Sequence, residues 1–86
     1  MEWSPEATQK FKDLLGEIQP FMRPLAETMG RNEIAKVAQA RGASVVDLDT
    51  MVIGLIKARP ANLKSKMSEA MAKHGIDLAK FAEYLG

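Results

Sequence analysis

The stretch Asp47–Ala58, "DLDTMVIGLIKA", decides how the rest of the chain must fold. Leu48, Met51, Val52, Leu55 and Ile56 fall at i, i+3, i+4, i+7 and i+8, the spacing that lines one face of an α-helix. Asp47 is a strong N-cap, and Arg59-Pro60 stops the helix because proline cannot occupy its interior. The unbroken apolar run Met51–Ile56 is far short of the roughly 20 residues a membrane span needs. A helix this apolar needs cover, and the sequence on both sides of it reads as further helices.

Upstream, "ASVV" at 43–46 is short, β-branched and extended, and Gly42 is placed to end the preceding helix as its C′ residue. That helix carries Leu25, Met29, Ile34, Val37 and Ala38 as an apolar stripe, imperfect around Gly30-Arg31-Asn32. Either one helix runs through Gly30, or Asn32 caps a fresh start. Before it lies "IQPFMRP", residues 18–24, with two of the chain's four prolines. Pro20 closes the first helix and Pro24 suits the first turn of the second, so the segment reads as a helix-to-helix corner. Phe21 is expected to pack under Trp3 or Phe11, and Arg23 to make a polar contact at the corner. The first helix spans about 5–17: Ser4 caps it, Pro5 and Glu6 suit its first turn, and Ala7, Phe11, Leu14, Leu15 and Ile18 keep helical spacing. Trp3 can fold back over Ala7 and Phe11.

Downstream, Asn62 caps a helix bearing Leu63, Met67, Ala70 and Met71 that ends at Gly75. Asp77 caps a short last helix, with Ile76 and Phe81 as a hydrophobic staple and Tyr84 and Leu85 closing. The expectation is an all-α, small single-domain bundle of four to six short helices over residues 1–86, without a convincing sheet, repeat or linker.

Eighty-six residues at 47% hydrophobic content suit one small domain of a few kcal/mol stability. Six methionines against five aromatic residues give a soft core that can lean on a partner or a second copy, a homo-oligomer. The absence of cysteine excludes disulfides, thiolate zinc, iron–sulfur clusters and a thiol nucleophile. With no secretory signal and no membrane-length apolar run, a cytoplasmic location is expected.

Chemistry-bearing residues are sparse. The single histidine, His74, sits beside the helix-ending Gly75, where a cation is electrostatically favoured; one imidazole without HxxxH or HExxH spacing does not make a metal site. Met67 and Met71, one turn apart, read as core rather than haem or copper ligands without a CxxCH motif. Asp47 and Asp49 lack the further oxygens of an EF-hand loop, and no phosphate-binding glycine loop or nucleophile elbow occurs. The chain is expected not to be an enzyme and to carry no cofactor.

Two patterns point to binding. Residues 34–51 fit a helix-turn-helix template: Ala38 and Gly42 take the small and turn positions, Ser44 starts the second helix, and Leu48 and Met51 supply its buried side. That helix would present Val45, Val46, Asp47 and Asp49 to DNA, where Arg, Lys, Asn or Gln are needed. Net charge is +1, yet Lys57, Arg59, Lys64, Lys66 and Lys73 against Glu69 make 57–73 locally basic. A nucleic-acid contact through that segment is one alternative.

The order "WSPEA" (3–7), "IQPFMR" (18–23), "AKVAQARG" (35–42) and "VVDLDTMV" (45–52) resembles the small C-terminal domain of the light-independent protochlorophyllide reductase B subunit. Trp3, Glu6, Ala7, Phe21, Arg23, Ala38 and Gly42 fit its pattern. The proline is displaced by one position relative to the arginine, Arg23 and Gly42 stand about one helical turn too far apart, and Ala35 replaces a glutamate. The resemblance covers 1–58; residues 59–86 are extra C-terminal helices. It implies a non-catalytic helical accessory module that docks a protein partner through an apolar helical face. A tetrapyrrole-binding accessory role is the other alternative. The candidate contact residues are Phe21, Arg23, Lys57, Arg59, Lys64 and Lys66.

Overall fold

The computed structural model describes residues 2–58 and 64–85, apart from the side chains of residues 64–66 and 85. Among these are five α-helices: α1 (Pro5–Leu15), α2 (Arg23–Arg41), α3 (Leu48–Ala58), α4 (Lys64–Lys73) and α5 (Ala82–Leu85). Short 3-10 turns at Pro20–Met22 and Leu78–Phe81 complete the helical content of the described residues. The all-α bundle expected from the sequence is the fold observed.

α3 is the hub. Its face was expected to be amphipathic, but every residue from Thr50 to Ile56 is buried, including Ile53 and Gly54, which lie off that face. The largest interhelical contact is with α2, and α1 and α5 also pack against α3. Asp47 caps its start, accepting from the Thr50 N–H at 2.8 Å. The Thr50 hydroxyl is held by the same carboxylate and accepts from Arg41 Nη1 at 3.3 Å, so the one buried polar side chain among the described residues is fully engaged.

The other boundaries follow local chemistry. Ser4 Oγ accepts from the Ala7 N–H at 3.1 Å, and Pro5 opens α1. α2 is one helix that runs through Gly30, which resolves the choice left open by the sequence. Gly42 ends it at φ 67°, with the Ala43 N–H donating to Ala38 O at 2.9 Å; Gly75 ends α4 the same way at φ 78°, with Ile76 donating to Met71 O. Asp77 caps the last turn through Ala79, and Ile76 and Phe81 are both buried, as a staple requires. The Arg59-Pro60 stop and the Asn62 cap lie outside the described residues.

One expectation needs correcting. "ASVV" is not only extended: Val45–Val46 pairs in parallel with Glu2–Trp3, Glu2 opposite Val45 and Trp3 opposite Val46. This two-residue ladder pins the N-terminus beside the α2–α3 connection. Trp3 then meets Phe11 at 5.1 Å between ring centroids, and Arg31 stacks over both rings at 4.9 and 5.1 Å.

The ladder also corrects the helix-turn-helix reading. The residues that would begin a recognition helix are strand, and the helix after them is buried from Thr50 to Ile56. A helix enclosed in the core cannot lie in a DNA groove.

Candidate functional site

The site forms where α1 ends. The last carbonyls of a helix have no partner within it, and here the chain must turn sharply into Pro20–Met22. Arg23 closes this end. Its Nε donates to Leu15 O (3.1 Å) and Ile18 O (2.9 Å), and its Nη2 to Gly16 O (3.1 Å). The expected polar contact at the corner is therefore internal, made to backbone carbonyls rather than to a carboxylate. The planar guanidinium is suited to this, since it presents several donors in one fixed fork.

Phe21 behaves differently from its expectation. It does not pack under Trp3 or Phe11 but stands 76% exposed at the tip of the corner. The Trp3–Phe11 stack is already covered by Arg31, and the 3-10 turn carries Phe21 outward. Leu25 and Met29 correct a second expectation. The stripe on α2 joins the core only from Ile34 onward, while Met22 (39%), Leu25 (54%) and Met29 (43%) remain exposed.

Helix crossing explains this. α2 and α3 pack closely where Gly54 faces Ile34, and helices that cross at an angle diverge away from their contact. On the corner side the divergence opens a cleft of about 530 Å³. Leu14, Leu15 and Ile18 form one wall, Phe21 to Met29 a second, and Met67, Ala70 and Met71 of α4 a third, above Phe11 and Leu55. Among the described residues that line it, Glu17 alone is charged. Met71 is fully buried and Met67 packs against the core, in keeping with the core reading of both methionines.

Glu17 sits at the mouth and ties α1 to α4. Its Oε1 lies 2.8 Å from Lys73 Nζ and 3.0 Å from His74 Nε2, while Lys10 Nζ donates to His74 O. The carboxylate that His74 meets is thus Glu17, 57 residues away in sequence, and not the nearby Asp77. Among the described residues no cluster of three or more His, Cys, Asp or Glu could hold a metal ion, and no helix is long and apolar enough to cross a membrane.

Lys73 first, then His74, hold the Glu17 carboxyl below its ordinary range by hydrogen bonding. The Thr50 N–H, then its hydroxyl, and the charge of Arg41 do the same for Asp47. Both pKa values are lower in the folded than in the unfolded chain, so each group stabilises the fold above the unfolded value and loses that contribution as pH falls through the folded one. The melting temperature should therefore decline as pH drops below about 4. Asp47→Asn should flatten that decline more than Glu17→Gln, because Asp47 caps the central helix while Glu17 is solvent-screened. Melting curves between pH 6 and pH 2 check this.

Lys57 is exposed at the end of α3, 6.0 Å from the Tyr84 ring centroid. Arg59 lies outside the described residues, as do the side chains of Lys64 and Lys66 in the first turn of α4. The structure brings Phe21 and Arg23 to the corner, and Met22, Leu25 and Met29, which the sequence assigned to no site, complete its apolar rim. No family model, curated protein or solved structure matches this chain.

Proposed function

We propose that this chain is a small, non-catalytic helical accessory module that docks a protein partner through the apolar cleft and its rim. The observation that carries this is the exposure of Phe21, Met22, Leu25 and Met29 together, beside a cleft with one charged residue among the described residues that line it. Scattered exposed apolar side chains are ordinary on a protein surface; a contiguous patch around a groove marks an interaction site. The reading agrees with what the resemblance to the reductase domain implies, an accessory surface rather than a reaction centre. It places the contact on the apolar corner in preference to the basic segment, since Lys73 is engaged by Glu17 and Lys57 lies near Tyr84.

Site-specific photo-crosslinking in living cells tests it. A photoreactive residue replacing Leu25 should give one discrete protein adduct, and the same residue replacing Lys36, exposed further along α2, should not. Adding Phe21→Asp should reduce the Leu25 adduct at least tenfold. Equal adducts from both positions, or none from Leu25, would refute the proposal.

A further inference from the structure

We propose that Met22 and Met29 are reversible oxidation sites that switch the apolar rim of the cleft between a docking and a non-docking surface. This rests on the docking reading of the cleft and adds its regulation.

The chain has six methionines and no cysteine. With no thiolate to take an oxidant first, the thioethers are the groups a peroxide attacks most readily. Placement then divides them. Met22, Met29, Met67 and Met71 all line the cleft. Met22 and Met29 stand 39% and 43% exposed, whereas Met51 and Met71 are fully buried and Met67 packs against the core. Susceptibility follows exposure, so a peroxide reaches the rim pair while the core pair is still reduced. Met1 lies outside the described residues.

The two pairs also differ in what oxidation does. A sulfoxide at Met51 or Met71 would set a polar S=O group among apolar neighbours and loosen the fold. At Met22 or Met29 the new oxygen meets water in the free chain, so the helices hold. The cost arises only on docking, when that oxygen must give up its water against an apolar partner. Phe21 and Leu25, the other two exposed residues of the rim, carry no sulfur. The polarity of this face is therefore set by two sulfurs that an oxidant reaches without entering the core.

The chemistry is balanced in both directions. The thioether sulfur attacks a peroxide oxygen; the O–O bond breaks and an S=O bond forms. Hydrogen peroxide is reduced to water, and sulfur is oxidised by two electrons. A methionine sulfoxide reductase reverses this with a dithiol, which becomes a disulfide while the oxygen leaves as water.

The test treats the purified full chain with dilute hydrogen peroxide. Each methionine is followed by peptide mapping, the fold by circular dichroism, and the rim by retention on a hydrophobic-interaction column. Met22 and Met29 should gain oxygen at least about tenfold faster than Met51 and Met71. The chain oxidised at both should keep its helical signal and elute earlier, and sulfoxide reductase with dithiothreitol should restore its retention. A Met22→Leu/Met29→Leu chain should elute at the same position before and after peroxide. In cells, peroxide should reduce the Leu25 adduct at least about fivefold, and the doubly substituted chain should give equal adducts with and without it. Equal oxidation of rim and core methionines, loss of helical signal as the rim pair oxidises, or a leucine variant that responds like the wild type overturns the proposal. An adduct present before peroxide and unchanged after it defeats the switch alone. An adduct absent before peroxide defeats the docking reading, and the switch with it.

Discussion

Gly54→Ala should leave the chain largely unfolded at 37 °C, although glycine to alanine inside a helix ordinarily stabilises by about 1 kcal/mol. A Cβ at position 54 would lie 2.4 Å from Ile34 Cγ1, 2.6 Å from Ile34 Cα and 2.9 Å from Ile34 N. The side-chain carbon could rotate away. The two backbone atoms can retreat only if α2 and α3 separate, and these two helices share the largest interface in the fold. Separation would loosen Ile34, Val37 and Ala38 against Met51 and Ile53, all of them buried. Close-packed interiors do not absorb such a shift, and overpacking costs about 1–3 kcal/mol even when only side chains must give. With backbone in the way we expect at least about 3 kcal/mol, a large part of the stability available to a domain of this size.

Gly30→Ala supplies the contrast within the same fold. Its Cβ would meet Leu55 Cδ2 at 3.1 Å and Phe11 Cε1 at 3.3 Å, both ends of side chains that can yield by a few tenths of an ångström. The gain in helix propensity there offsets the crowding, so the net change should stay within about 1 kcal/mol. Urea denaturation of the three proteins checks both expectations. A Gly54→Ala protein as stable as the wild type would mean that the two helices do not cross at Ile34.

This crossing also marks what the sequence disclosed. Ser4, Asp47, Gly42 and Asp77 announced their boundaries because capping depends on the residue itself and its immediate neighbours. The order of α1, α2 and α3 and the ends of α1 and α3 followed for the same reason, whereas the sequence left open whether α2 was one helix or two. What hid was anything set by helix divergence. Leu25 and Met29 share a period with Ile34 and Val37, and periodicity reports a face without reporting whether a neighbour covers it. The cleft arises because α2 leaves α3 on the corner side of Gly54, a distance that no local pattern encodes. The Val45–Val46 ladder was similarly silent, as two residues carry no alternation and their partner lies at the other end of α1 and α2. The break around Gly30-Arg31-Asn32 was the one usable signal, since it falls where α2 passes from exposed rim to core.

Arg23→Ala carries the second largest expected effect on stability, about 2 kcal/mol. The guanidinium is half-buried and makes three hydrogen bonds to the carbonyls of Leu15, Gly16 and Ile18. Hydrogen bonds to a charged donor contribute about 1.5–3 kcal/mol, and part-buried carbonyls stripped of their donor bear a desolvation cost. Water can reach Gly16 O, where the bond is exposed, which keeps the total below the sum of three. In a domain of this length the loss corresponds to a fall in melting temperature of roughly 8–16 °C. Arg23→Lys should recover less than half of it, because a single ammonium cannot span three carbonyls in a fixed fork. The effect should also reach the cleft. With Leu15–Ile18 no longer held to the start of α2, Phe21 and Met22 lose their fixed position, and the photo-crosslinked adduct from position 25 should weaken in Arg23→Ala below its melting range. Phe21→Asp should separate the two roles, weakening the adduct from position 25 while leaving the melting temperature within about 2 °C, since a side chain 76% exposed contributes little to the folded core. If Arg23→Ala melts with the wild type, the corner is held by its prolines and not by the guanidinium.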